Sequence, residues 1–157
     1  MADGVFNIAK GRVNEYQARV ASNDPANSAL ITVILKGAEA DATLEDYDDL
    51  AALLAGSNTE ADFTNYVRSV LTDADVSAPT PDDTNNWQAA DIPDQTIVAA
   101  GGASNNTLVK YLICYDSDTT GGTDSNIIPL THHDFPVTTD GSNLVAQINA
   151  DGYYKAS

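Results

Sequence analysis

The chain reads as mainly β: an antiparallel β-sandwich or rolled sheet with an N-terminal helix and one short inner helix. Three observations predict this. Leu30–Leu35 and Leu108–Tyr115 are apolar on both faces, the pattern of strands covered from both sides. Short apolar segments then recur between clusters of Gly, Pro, Asn and Asp, at the spacing of an all-β domain. Helical periodicity is confined to the first twenty or so residues and to a short stretch near residue 50.

Taken in order, Phe6, Ala9, Val13, Tyr16 and Val20 form one stripe of an amphipathic helix over about residues 5–21. Gly11 weakens that helix by about 1 kcal/mol, and Ser22-Asn23-Asp24-Pro25 stops it. Leu30–Leu35 is a buried strand ended by Lys36-Gly37. Thr43-Leu44-Glu45-Asp46 resembles a capping box. Leu44, Tyr47, Leu50, Leu53 and Leu54 then supply a buried face, with Gly56 as the C-cap. Thr64–Leu71 alternates as a strand with one wetter face. Residues 72–86, rich in Asp, Thr, Pro and Asn, read as loop.

Trp87–Ile92 and Thr96–Ala100 are short strands parted by Pro93-Asp94, and Gly101–Asn106 is an exposed turn. From Leu108 onward the chain reads as a self-pairing β meander. Leu108–Tyr115, Ile127–Leu130, Phe135–Thr138, Leu144–Ile148 and Tyr153–Lys155 are its strands. Asp140-Gly141 and Asp151-Gly152 are its tight turns. No internal repeat or boundary divides the 157 residues, so one domain over 1–157 is expected.

Charge narrows the partners. There are 23 acidic against 7 basic residues, a net charge of −16, and Arg68 is the only basic side chain between Lys36 and Lys110. Such a surface repels phosphates, which argues against nucleic acid and against anionic membranes. No apolar run approaches the roughly 20 residues that span a bilayer. Met1-Ala2-Asp3-Gly4 lacks the basic and apolar regions of a secretory signal. The single cysteine, Cys114, lies in an apolar strand and reads as an inert core thiol.

Two motifs carry metal or acid–base chemistry on paper. Counted from Asp116, the loop Asp116–Asp124 matches the first half of an EF-hand, with Asp116, Asp118, Thr120 and Asp124 as the calcium candidates. Position 12 is Ile127 instead of the bidentate Glu, and no helix flanks the loop. A polar loop whose Asp and Ser side chains bond nearby backbone is the expected outcome. His132-His133-Asp134 is the second motif. Adjacent strand residues face opposite ways, so the two imidazoles are poorly placed to share a metal. The chain has no nucleophile elbow, phosphate-binding glycine loop or Cys–His cluster. The expectation is a protein that is not an enzyme and uses no cofactor.

Several segments look familiar. These are Val5–Arg12, Trp87–Asp94 with Gln95-Thr96, Cys114-Tyr115-Asp116-Ser117-Asp118-Thr119, Ile127–Thr131 and Asn143–Ser157. Together they resemble a family of small virion structural proteins of tailed bacteriophages. The resemblance implies a part of the particle, made in the host bacterial cytoplasm and assembled as a homo-oligomer or symmetric array with other virion proteins. It does not distinguish head, neck or tail.

The acidic, hydrophilic loops favour a head-surface decoration protein. A tail-tube, terminator or collar subunit is the alternative. A carbohydrate- or receptor-binding module, with Trp87, Tyr115, Tyr153 and Tyr154 as an aromatic platform, is the rival from another class. The contact elements expected in the particle are the helix bearing Phe6, Val13, Tyr16 and Val20, and the segment around Trp87.

Overall fold

Antiparallel pairing organises the molecule, as expected. The computed structural model describes residues 4–157. It begins with β1 (Gly4–Val5), α1 (Val13–Ala21), β2 (Ala29–Gly37), α2 (Asp41–Leu44) and α3 (Leu50–Ala55). Short strands follow: β3 (Thr59–Glu60), β4 (Ser69–Leu71), β5 (Thr80–Asp82), β6 (Trp87–Ala90) and β7 (Gln95–Ile97). The chain ends with β8 (Lys110–Asp116), β9 (Ile128–Asp134), β10 (Leu144–Ala146) and β11 (Tyr154–Ala156). Residues Met1–Asp3 of the opening read above for a secretory signal lie outside the described residues. No helix among the described residues is long and apolar enough to cross a membrane.

The two apolar runs meet at the centre. β2 and β8 pair over seven residues, from Ala29 opposite Asp116 to Leu35 opposite Lys110. They lie inside a six-stranded sheet of order β1-β9-β8-β2-β3, with β4 also on β2. Side-chain alternation sorts their residues without exception. Leu30, Ile34, Tyr111, Ile113 and Tyr115 enter one core cluster. Ala29, Ile31, Val33, Leu35, Leu112 and Cys114 enter the other. Each fully buried Leu or Ile contributes roughly 1.5–3 kcal/mol.

α2 and α3 cover the second face through Leu44, Leu50 and Leu53. The first face is covered by α1 and by two small sheets, β10-β7 and β11-β6-β5. The result is sandwich-like, with the minor sheets stacked on the major one.

Several expected elements are corrected. The helix over 5–21 is two pieces. Val5 belongs to β1, Asn7–Ala9 is a 3-10 turn, and α1 starts only at Val13. Gly11 separates them with φ +76°, a backbone state unfavourable to other residues. The stripe divides accordingly. Phe6 packs with the α2–α3 cluster, while Ala9, Val13, Tyr16 and Val20 pack on the opposite face. The inner helix is also split. Asp49 caps α3 by accepting the Ala52 N–H at 2.8 Å, so the operative cap lies six residues beyond Thr43. Gly56 is the C-cap as read, at φ −74°. A Cβ there would meet the Tyr47 hydroxyl, which explains the glycine without a left-handed turn.

The C-terminal meander is the largest correction. β8 and β9 do pair, but β10 pairs with β7, and β11 pairs with β6. Asp140-Gly141 joins no hairpin. Asp140 Oδ1 accepts from the Ser142 backbone and hydroxyl, and the Gly141 N–H donates to the Ala100 carbonyl. Phe135–Thr138 is no named strand, retaining one bridge between Thr107 and Thr138. In the 64–71 segment only β4 is extended, because residues 63–66 turn with Asn65 at φ +71°. The loop at 72–86 contains β5.

Ion pairs lock the sheet edges. Arg68 reaches Glu60 at 2.7 Å and Asp124 at 2.6 Å, and the Tyr66 hydroxyl donates to Glu60. Lys110, nearly buried, sits between Asp41 and Asp134. Burial alone would lower its pKa, but the two carboxylates outweigh that and raise it.

Candidate functional site

β6 carries Trp87 and Ala89 on one face, and the chain beyond it adds Asp91 at the same period of two. The opposite face is spent on α1, where Asn14 donates to the carbonyl and side chain of Gln88 and Ala90 is fully buried. Trp87, Ala89 and Asp91 therefore line a cleft of about 810 Å³. Residues 75–83 form one wall and Ala150–Gly152 the other.

Gly152 makes the second wall possible. It has φ +88°, and an added Cβ would lie 2.3 Å from the Ala90 carbonyl oxygen. Only glycine lets that turn close onto β6.

The cleft is acidic and has one aromatic anchor. Asp75, Asp82, Asp83, Asp91 and Asp151 line it with Trp87. Lys155 Nζ stands 4.6 Å from the Trp87 ring centroid and 2.6 Å from Asp151 Oδ2. This is a cation held on an indole face. Asp82 turns partly inward, accepting from the backbone of Thr84 and Asn85 and from the Asn85 amide. The Asn85 bonds, its side chain's first, hold the Asp82 carboxyl below its ordinary pKa. Burial raises that of Asp91, although a backbone bond from Ile92 opposes it.

Gln17 of α1, 1% exposed, closes the cleft at depth. Its Nε2 donates to the carbonyls of Ser77 and Asp91, each at 2.8 Å, and its Oε1 is buried without a partner.

All seven lysines and arginines of the chain stand within 3.4 Å of a carboxylate. The remaining acid is an uncompensated excess. Among the described residues no three carboxyl, imidazole or thiol groups gather closely enough to hold a metal ion. The cleft thus presents carboxylates beside one indole.

The residues singled out from the sequence are placed differently. Asp116 Oδ1 accepts the Asp118 N–H, Asp118 Oδ1 accepts from the Thr120 backbone and hydroxyl, and Asp124 is engaged by Arg68. The calcium candidates Asp116, Asp118, Thr120 and Asp124 are thus turn caps and an ion pair, and they do not converge.

His132 and His133 do face opposite ways, as strand geometry requires. His132 is fully buried, edge-on to Phe6 with ring centroids 5.6 Å apart, and its Nε2 lies 3.3 Å from Glu45 Oε1. His133 lies 3.0 Å from Thr131 Oγ1 and lines a second cavity of about 270 Å³ with Tyr111, Asp134, Phe135 and Tyr153. Burial pushes the Cys114 thiol up to about 12, so it is neutral at ordinary pH.

The expected contact residues separate as well. Phe6, Val13 and Val20 are fully buried and Tyr16 nearly so, which puts them in the chain's own core and not on a surface. Trp87 remains accessible in part. The aromatic platform is likewise not assembled. Tyr115 is buried against Tyr16, Tyr153 lines the second cavity, and Tyr154 packs toward the core.

Sequence reading missed Gln17, Asp91, Asp151 and Lys155 as neighbours of Trp87. The usable signals were the period of two at 87, 89 and 91 and the Asp151-Gly152 turn. Comparison with protein-family models, curated proteins and solved structures found no match.

Proposed function

We propose that this chain is a non-enzymatic structural component of a tailed-phage particle, displayed on the head surface as a decoration protein. The observation that carries the reading is where the reactive side chains go. His132, Cys114, Asp124 and Lys110 are consumed by packing and ion pairs inside the fold, while a cleft of about 810 Å³ offers carboxylates and an indole. That surface is built to hold a neighbour. The segments of phage resemblance at Trp87–Asp94 and Asn143–Ser157 contribute both its floor and its second wall. Small particle proteins act by repeating one interface under symmetry, and a stable β domain with an acidic outer surface suits that use.

The test is the particle itself. Mass spectrometry and imaging of purified particles from the encoding phage are expected to find this chain in repeated copies on the head. Its absence from purified particles overturns the proposal. Density confined to the neck or tail replaces the head assignment with the tube, terminator or collar alternative.

A further inference from the structure

We propose that the Trp87 cleft docks an extended protein segment bearing lysine or arginine, whose cationic head takes the place on the indole that Lys155 now holds. This names the partner chemistry of the structural-component reading and rests on it only for the partner being a neighbouring protein.

Four observations converge on it. Trp87 already binds an ammonium group, since Lys155 lies over its ring and against Asp151. The geometry for a cation is therefore built and filled from within the chain. The cleft is much longer than that one contact, with Asp75, Asp83 and Asp91 lining the remainder. No lysine or arginine of this chain is paired with these three, because all seven stand against other carboxylates, Lys155 against Asp151.

The carboxylates do not gather as a metal site does, which selects a ligand with separated charges over a single ion. Nucleic acid and anionic lipid are repelled by the same carboxylates.

Trp87 is the only tryptophan in the chain, so its fluorescence reports the site directly. The experiment titrates the full chain with a short oligolysine peptide, and separately with oligoserine and with single-stranded DNA, following Trp87 emission. Saturable change is expected with oligolysine alone. Lys155→Met, which removes the resident charge and keeps most of the stem, is expected to tighten oligolysine binding by about threefold or more. The double variant Asp91→Asn, Asp151→Asn is expected to weaken it by about tenfold. Asp116→Asn with Asp118→Asn removes equal charge from a loop that does not line the cleft and is expected to leave binding within about twofold.

Equal weakening by both double variants means undirected attraction to an acidic surface and overturns the proposal. So does a response to DNA, or a Lys155→Met protein that binds no better. Particle assays separate this from the broader reading. Variants of the cleft that incorporate normally sink the docking site and leave the structural role standing. Oligolysine binding by a protein absent from particles does the reverse.

Discussion

The major sheet and the two minor sheets are held by different physics. In the major sheet, β2 and β8 are buried on both faces, and their neighbours were chosen by alternation of apolar side chains. In the minor sheets, strands of three or four residues pair across long stretches of chain, Tyr154 with Ala90 and Leu144 with Ile97. The outer face of β11-β6-β5 carries Trp87 beside carboxylates, while that of β10-β7 exposes Val145. Burial on both faces leaves no open surface, so concave space collects where the sheet is thin and one face is free. The Trp87 cleft lies on that face.

The largest effect is expected inside the major sheet. Leu112→Ala leaves a cavity at a fully buried position and should cost about 2–5 kcal/mol in denaturant unfolding. A cost near that of a surface change would mean the two regions do not differ. Deleting Tyr153–Ser157 removes β11 and uncovers the edge of β6. The melting temperature should fall by several degrees while Cys114 stays protected from thiol reagents. Rapid labelling of Cys114 in the truncated protein would show that the minor sheets support the major one.

Gly152→Ala comes next. It forces a side chain into a left-handed position against the Ala90 carbonyl, at a cost of about 1–3 kcal/mol by thermal melting. The loss should be accompanied by altered Trp87 emission, since the turn it anchors is a wall of the cleft.

The link between Arg68 and Asp124 gives a smaller, pH-dependent effect. Arg68 holds the Asp124 carboxyl below its ordinary value, so the folded-state pKa is the lower one. The contribution is present above the unfolded carboxylate pKa and is lost as pH falls through the folded value. Asp124→Asn should therefore flatten part of the loss of stability between neutral and acidic pH, with little difference once the pH is below the folded-state value. An unchanged acid profile would remove this pair from the account. Trp87→Ala, last, should alter stability by about 1 kcal/mol or less, yet abolish cation binding at the cleft.

Legibility followed the same division. Leu30–Leu35 and Leu108–Tyr115 announced themselves because a strand covered on both faces must be apolar throughout. Opposite facing of His132 and His133 followed from strand period alone. The break at Gly11 was visible as a weak point, but the spacing of Phe6 matched the helical stripe by coincidence while its side chain crossed to the other face. Asp116–Asp124 looked like half a calcium loop because oxygen-rich turns and cation loops use the same residues. What separates them is where Asp124 points, and Arg68, 56 residues away, decides that.

By itself the sequence determined the class of fold, the two central strands, the inert thiol, the acid excess and the short reach of any helix. Those follow from local period and composition, which are properties of neighbouring residues. Only the tertiary structure decided that β10 and β11 leave the meander for β7 and β6, and that Gln17, Trp87, Asp91 and Asp151 line one cleft with Lys155 over the Trp87 ring. Strands of three residues carry too little pattern to name their partners. Backbone hydrogen bonding is indifferent to sequence, so that choice falls to the packing of the whole chain.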